Sequence, residues 1–565
     1  MTAGERILLA GIALGAIVIL ALIPDNPRNN VDAGSVVDWE NATDDPGQKL
    51  TITWMGIPAH SGAREDGWIE RNLEDRFNIE LEPVLMDWNG YRRRRPMMLA
   101  GGDIPDVMWN GDPLDVRNNL RNGFIMEVPH ELILKYAPEY VKLLNRYGKE
   151  AWLYSQYKGR NFGLPTFNEG ANQPRISTWR KDWLDKLGIT RTPETLDEMY
   201  TALKRFRHDD PDGNGKKDTY GWCPDIGHWS LAFVEVFAAC NVLAWDFQLV
   251  DDNVVWGGIR PEARQALKIL RKWYAEELLD PDFVLVSQQS RATERRFVNG
   301  KIGYHHPVDS YAAYDLDIPT SMHRQLRDIT PGAEMTPGPP LRNAEGRRTG
   351  RTWGGAAHIM QFGKHLEEEP EKVIRMLKMM EAITVDEQLY AETRSGKRGL
   401  HWDLVPGRGA QLLPAFLGDA KKQLRAAEML GQNGFSTIFY YPCNLTRTYE
   451  MKYKRPESVR FALENQKPEW AIMNVLGKSD VVPSASRYLE DLRNWQMTVF
   501  VEIITGDRQL ETFDAFVNEW KRRGGDILTA EANEMYREML MIFERVGASS
   551  SRSKGSAHWE RGGAR

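Results

Sequence analysis

The sequence predicts a two-lobed α/β protein, and three observations carry that expectation. The chain has 565 residues, more than one hydrophobic core organises, so two large lobes are expected. Strand-like and helix-like stretches alternate between residues 50 and 109, the order that builds α/β layers. Hydrophobic residues make up 42% and charged residues 27% of the chain, the balance of an ordinary soluble globular protein.

Leu50-Thr51-Ile52-Thr53-Trp54-Met55 alternates as a half-buried strand does and stops at a glycine. Trp68 to Phe77 reads as a helix, Ile79 to Leu85 as the next strand, and Tyr91 to Leu99 as a second helix. Asp106 to Trp109 is a short strand entered through Gly101-Gly102-Asp103-Ile104-Pro105. Ligands of open α/β sheets bind beyond the carboxyl ends of strands, which places Trp54 and Trp109 near a candidate cleft; burial in the core is the competing reading. Thr192 suits a helix cap and Pro193 a first helical position, and Leu196, Met199, Tyr200, Leu203 and Phe206 then share one helical face. A further helix runs from Pro261 through Leu267, Leu270, Trp273 and Tyr274 to Leu278. Residues 330–350 are rich in Pro, Gly and Arg and read as a loop.

Formal net charge is −6, so the chain carries no basic signature for nucleic acid. Its 19 tryptophans offer flat apolar faces with one N–H donor each, suited to sugar rings as well as to cores. Cys223, Cys240 and Cys443 give no disulfide framework, although one bridge is possible, and no CxxC pair suggests structural zinc. Residues Ile7 to Ile23 form an unbroken apolar or small run after Arg6. As a helix it would span roughly 26 Å, which suits a signal-peptide core or a short anchor. The first cysteine is Cys223 and the small-residue pattern after the run is poor, so an uncleaved anchor is the preferred reading. No second run of that length follows, which puts the rest of the chain outside the cytoplasm.

One segment carries definite chemistry. In His208-Asp209-Asp210-Pro211-Asp212-Gly213-Asn214-Gly215-Lys216-Lys217-Asp218, oxygen-bearing side chains recur at Asp210, Asp212, Asn214 and Asp218. Gly215 stands where an EF-hand loop makes its sharp turn, and Lys216 would offer its backbone carbonyl. The spacing predicts one calcium ion. Position 12 of such a loop is Gly221, so the bidentate glutamate is missing and calcium sensing is not expected. A turn that binds nothing is the competing reading.

The same region resembles the extracellular solute-binding proteins of bacterial ABC importers. The likeness lies in Trp179-Arg180-Lys181-Asp182-Trp183-Leu184-Asp185-Lys186-Leu187-Gly188, in Thr192 to Glu198 and in Asp210 to Asp218. It is similar above all to the calcium-containing subgroup that includes alginate- and other oligosaccharide-binding proteins. Leu99 to Val107, Gly123-Phe124-Ile125 with Lys135-Tyr136-Ala137-Pro138, Tyr157 to Pro165, Phe297 to Tyr304, and Arg398 to Trp402 resemble further family stretches in the family's order. The resemblance implies a type II periplasmic-binding-protein-like fold with discontinuous lobes, crossing near Leu164–Thr166, Gly303–Pro307 and Trp353–His358. The corresponding division is a signal peptide or anchor over 1–24, a linker over 25–48, an N-lobe from 49–164 and 304–355, a C-lobe from 165–303 and 356–546, and a disordered tail over 547–565. In the family the calcium is structural and an acidic residue directly after the last Asp completes its site; here that position is Thr219, and a hydroxyl or water would substitute. The family's lipid-anchor cysteine is also absent.

The resemblance further implies an extracytoplasmic monomer that captures a carbohydrate, with acidic oligosaccharides among the candidates, and hands it to ABC permease subunits. Aromatics would stack on sugar faces, while Asp, Asn and Arg would bind hydroxyls and carboxylates. The candidates are Trp54, Trp88, Trp109, Asn110, Trp179, Trp229, Tyr304, Trp353 and Trp402. Arg92 to Arg95 reads as a solvated helix face, and alternatively as a bias toward uronic acids. No G-x-S-x-G, H-E-x-x-H or P-loop element occurs, and His305-His306 diverge on a strand rather than pairing on a metal. A binding protein rather than an enzyme is expected. A membrane-anchored sensor on the same fold and a glycan-active hydrolase with paired carboxylates are the alternatives.

Overall fold

The computed structural model describes residues 37–56, 66–111, 113–227, 229–286, 291–416, 432–433, 436–437 and 451–548. The apolar run at 7–23, Cys443 and most of the expected tail lie outside them. Among the described residues no helix is long and apolar enough to cross a membrane.

Among the described residues, nine strands build the two largest sheets. They are β1 (Leu50–Met55), β2 (Ile79–Pro83), β3 (Val107–Asn110), β4 (Leu164–Phe167), β5 (Ile176–Arg180), β6 (Tyr220–Trp222), β7 (Ile302–Val308), β8 (Met335–Gly338) and β9 (Ala356–Phe362). The first sheet has the order β2–β1–β3–β9–β4 and the second β8–β5–β7–β6. In β1, Leu50, Ile52 and Trp54 turn into the core while Thr51 is exposed, as alternation requires. The following helix, Trp68–Phe77, has the expected limits. Its Glu70 carboxylate accepts from the Gly67 backbone N–H, and it ends at Asn78 in the left-handed region.

The helix Leu196–His208 starts three residues later than the Thr192-Pro193 signal suggests. Thr195 Oγ1 accepts from Glu198 N at 3.3 Å, and Glu198 Oε2 accepts from Glu194 N at 2.8 Å. A second cap thus wins over the first, and Pro193 falls in the irregular segment before the helix. Met199, Ala202, Leu203 and Phe206 form its buried face.

The lobe division differs from expectation after residue 303. β7 runs through the interior of the second sheet, with Tyr304 opposite Trp179 on one side and Trp222 on the other. Gly303–Pro307 is therefore not a crossing, and 304–338 belongs with the second lobe. β9 instead pairs with β3 and β4 in the first sheet. The helices Pro370–Val385 and Glu387–Ser395 stay with that lobe: Arg375 pairs with buried Asp44 at 2.7 Å, and Arg76 with Glu392 at 3.2 Å. The helix Ala485–Thr505 returns to the second lobe and packs on Pro261–Ala275. Periodicity identifies a strand but not the sheet it joins, so 304–338 and 356–395 change lobes relative to expectation, while the helix Ala485–Thr505 lies in the lobe expected for it.

The chain crosses between lobes over residues 168–175, between β4 and β5, and over 339–355, between β8 and β9. Next to the second crossing Gly355 is indispensable, because a Cβ there would lie 1.4 Å from the Tyr147 carbonyl oxygen. The C-terminal helix Asp526–Arg545 spans both lobes: Asn533 Nδ2 donates to Val254 O at 2.8 Å, and Arg545 donates to Gly159 O at 3.0 Å.

Candidate functional site

Where the crossings meet the second lobe there is a cavity of about 840 Å³. Its walls come from separate parts of the chain. Arg175, Arg351 and Trp353 lie on the crossings, His306, Asp309, Tyr311 and Asp315 on or after β7, Tyr390 and Arg394 on the first lobe's helix Glu387–Ser395, and Lys454 and Arg455 on the later segment. Five of the lining side chains are Arg or Lys and two are Asp, so the cavity favours anionic groups. Both aspartates are engaged: Arg175 Nε lies 2.8 Å from Asp309, and Arg455 pairs with Asp315 and also with Asp317 at 3.0 Å. Hydrogen bonding to Asp317 and Asp315 raises the Arg455 pKa above its ordinary value despite desolvation.

Trp353 stands 38% exposed in this cavity. Behind it, indoles and guanidinium groups alternate. Arg351 lies 4.3 Å from the Trp353 centroid and 5.4 Å from that of Trp229; Arg493 lies 3.8 Å from Trp229; and Trp256 stacks on Trp520 at 5.7 Å. Asp246 neutralises Arg351 at 2.9 Å, both side chains being buried. The column fixes Trp353 from behind and leaves its outer face to the cavity.

The nine expected ligand residues separate into three groups. Trp353 lines the cavity, and Trp229 supports it through an edge contact at 6.1 Å. Trp88, 39% exposed, meets Trp109 at 5.8 Å and Tyr91 at 5.9 Å in a cluster at the end of β3. Trp109 itself is buried, with its ring 4.9 Å from His358. The remaining five are corrections. Trp54 and Trp179 are core residues, because their strand positions point inward. Asn110 is buried and donates to Gln361 Oε1 at 3.2 Å. Tyr304 is buried with its hydroxyl on Glu235 Oε1 at 3.1 Å. Trp402 is 3% exposed and donates to Gly396 O at 2.7 Å, beside a separate cavity of about 670 Å³. Three of the four arginines at 92–95 are exposed, as a solvated face requires, while Arg95 is buried against Asp115 at 3.3 Å and the Tyr91 ring at 4.9 Å.

The 210–218 loop has the turn geometry its sequence suggests. Asp210 Oδ1 and Oδ2 accept from the Asn214 and Gly215 backbone N–H groups at 3.1 and 3.0 Å, and Gly215 has φ +72°. Burial and the adjacent Asp210 carboxyl push the Asp212 pKa up, which marks negative charge brought together. Asp210, Asp212, Asn214, Asp218 and the Lys216 carbonyl supply the oxygen chemistry that a hard cation takes. Two ammonium groups also reach the loop: Lys301 lies 2.7 Å from Asp218, and Lys186 donates to the Asp210 and Pro211 carbonyls. The buried Thr219 hydroxyl, at the position where the family has an acidic residue, donates to Phe206 O at 2.8 Å.

Sequence reading missed the group Asp106, His365 and Glu369, whose ligand atoms converge. Lys372 Nζ stands 3.6 Å from Asp106 and 3.0 Å from Glu369, and Asp106 also accepts from Thr53 N at 2.8 Å, so this is an ion-pair network that ties β1 to β3. Cys223 is buried and Cys240 half-buried, and both are free.

No protein-family model matches the chain. It is 21% identical over 499 residues to the polygalacturonan/rhamnogalacturonan-binding protein YtcQ of Bacillus subtilis, covering 87% of this chain and 92% of that protein. It is 25% identical over 481 residues to the lipoprotein LipO of the same organism, covering 82% and 88%. Among solved structures it resembles a solute-binding protein of Bifidobacterium longum infantis that binds HMO and is associated with an ABC transporter (TM-score 0.65, 16% identity, 87% of this chain and 99% of that one). It also resembles the alginate-binding protein AlgQ2 crystallised without calcium ion (TM-score 0.58, 20% identity, 88% and 99%). Sequence relatives and structural neighbours include extracellular substrate-binding proteins of ABC transporters, and the chain has their two-lobed α/β fold.

Proposed function

We propose that this chain captures an acidic oligosaccharide outside the cytoplasm and delivers it, chemically unchanged, to an ABC importer. The observation that carries the reading is the interlobe cavity, where five cationic side chains surround one exposed indole face. Guanidinium groups recognise uronate carboxylates in bidentate fashion, and an indole face stacks on the apolar face of a sugar ring. The relative whose name gives polygalacturonan and rhamnogalacturonan as its ligands agrees with that chemistry. Capture would close the lobes over the ligand, and the closed form would be what permease subunits recognise. The 210–218 loop would hold a structural calcium ion, which stabilises the second lobe and takes no part in ligand binding. The 7–23 segment would keep the protein at the membrane.

The test is isothermal titration with trigalacturonate and with the neutral trisaccharide kestose, followed by mass spectrometry of the recovered sugar. Tighter binding of trigalacturonate, recovered intact, supports the proposal. Preference for kestose would move the ligand class to neutral sugars. Cleavage at catalytic rates would replace capture by hydrolysis.

A further inference from the structure

On β7, Tyr304 and His306 are two residues apart and share one face, while His305 turns the other way, its ring 6.0 Å from that of Phe297. Both shared-face side chains meet the same atom. Tyr304 Oη donates to Glu235 Oε1 at 3.1 Å, and His306 Nδ1 lies 2.8 Å from that oxygen. The His306 and Glu235 side chains are only 7% and 9% exposed, and Glu235 Oε2 is buried without a hydrogen-bond partner. Two lone pairs do not sit 2.8 Å apart, so a proton lies between Nδ1 and Oε1, and with Glu235 as a carboxylate, the acceptor that the Tyr304 hydroxyl also meets, that proton is on Nδ1. Tyr304 has only one hydroxyl proton, and burial pushes its phenol pKa well above the ordinary value, so it remains a donor.

This fixes what the other ring nitrogen offers. His306 lines the interlobe cavity, and Nε2 has no hydrogen-bond partner among the described residues. With Nδ1 protonated, the neutral ring presents a lone pair at Nε2. The nearby charged lining groups are donors: Arg175 and Arg351 on the crossings and Arg455 beyond them. The Asp309 and Asp315 carboxylates already carry ion pairs.

We propose that His306 is a ligand-contacting residue whose Nε2 accepts a hydrogen bond from a sugar hydroxyl, and that Glu235 is the positioning residue that sets its tautomer. This rests on the carbohydrate reading of the cleft and adds to it a hydroxyl-reading element among carboxylate-reading arginines. Other charged or titratable groups around the ring are Asp225 on the loop after β6, His305 and Tyr304 on its own strand, and Arg175 and Arg351.

Two measurements test it. Long-range ¹H–¹⁵N spectra of the ligand-free protein, with His306 assigned by comparison with His306→Gln, should show the Nδ1–H tautomer, and Glu235→Ala should shift it toward Nε2–H. Titration with trigalacturonate should show affinity about ten-fold weaker in His306→Phe, on the scale of one lost hydrogen bond. His306→Gln, whose amide oxygen can stand near the Nε2 position, should recover most of that loss. Glu235→Ala should weaken binding in the wild-type background and have no further effect in His306→Phe. A proton on Nε2 in the ligand-free wild type, whether as the other tautomer or as the imidazolium, overturns the proposal, and so does equal loss from Glu235→Ala with and without His306. If wild-type protein binds neither trigalacturonate nor kestose, the carbohydrate reading falls and the ligand contact with it. The tautomer spectrum then shows separately whether the Glu235–His306 geometry stands.

Discussion

Replacing Trp353 by alanine should weaken trigalacturonate binding about 50-fold without unfolding the protein. The magnitude follows from exposure. A tryptophan side chain has ~250 Å² to bury, and 38% of Trp353 is exposed, which leaves about 95 Å² for a sugar ring to cover. At about 25 cal/mol per Å² that is about 2.4 kcal/mol, or about 50-fold in the dissociation constant. Trp402 is the control. With only 3% exposed it offers a ligand under ~10 Å², so Trp402→Ala should change affinity by less than two-fold. It should instead lower stability by about 3–5 kcal/mol, as truncation of a core aromatic does. The assay is isothermal titration beside urea denaturation of both variants. Unchanged affinity in Trp353→Ala, or an equal loss in a folded Trp402→Ala, would show that the ligand lies elsewhere.

Three further outcomes follow from particular contacts. Calcium that binds only folded protein at a hundred times its dissociation constant should add about 2.7 kcal/mol. Chelator should then lower Tm, Asp212→Ala should abolish the difference, and Lys301→Met, which removes the cation 2.7 Å from Asp218, should enlarge it. If the wild type melts identically in chelator and in excess calcium, the loop is not a metal site. Burial lowers the His130 pKa to about 4 and those of His305 and His358 to about 3. The unfolded chain therefore binds more protons below pH 6.5, and stability is lost as pH falls from 6.5 toward those values, at up to about 4 kcal/mol per pH unit near pH 5. Differential scanning calorimetry should show a smaller Tm drop between pH 7 and pH 5 in His130→Asn; superimposable drops would contradict this. Asp246→Ala leaves Arg351 buried without its partner and should cost about 3–5 kcal/mol in chemical denaturation, whereas a loss under ~1 kcal/mol would place the pair in a solvent-like setting.

Much of the fold was legible because local patterns have local causes. The alternation of Leu50, Ile52 and Trp54 and the helical period of Met199, Leu203 and Phe206 survive into the structure, since each element buries the face its period marks. The lobe assignment after residue 303 was not legible. The segments of β7 and β9 were both expected as crossings, and only their nonlocal partners, Trp179 for one and Trp109 for the other, decide which sheet each joins. The cavity was legible at one point. Trp353 stands before Gly354-Gly355, where the backbone passes close to Tyr147 and the indole is left outside the core. Trp54 and Trp179 bore the same residue type, which says nothing of the face it will occupy. Arg175, Tyr311, Arg394 and Arg455 carried no sequence signal, because a cavity drawn from six separated segments has no period.

The arrangement of charge explains how a cationic cavity persists without a ligand. Like charges crowded into a cleft repel, and the lobes would be driven apart. Here aspartates in and behind the lining hold several of the cations: Asp309 holds Arg175, Asp246 holds Arg351, and Asp315 with Asp317 holds Arg455. Each pair fixes a guanidinium in place and leaves part of its donor fork to another acceptor, since an arginine has five N–H groups. A carboxylated ligand then finds its partners oriented and spends little of its binding energy on ordering them. The same pairs restrain the ligand's grip, because each cation is already partly neutralised, and that suits a protein that must release what it captures.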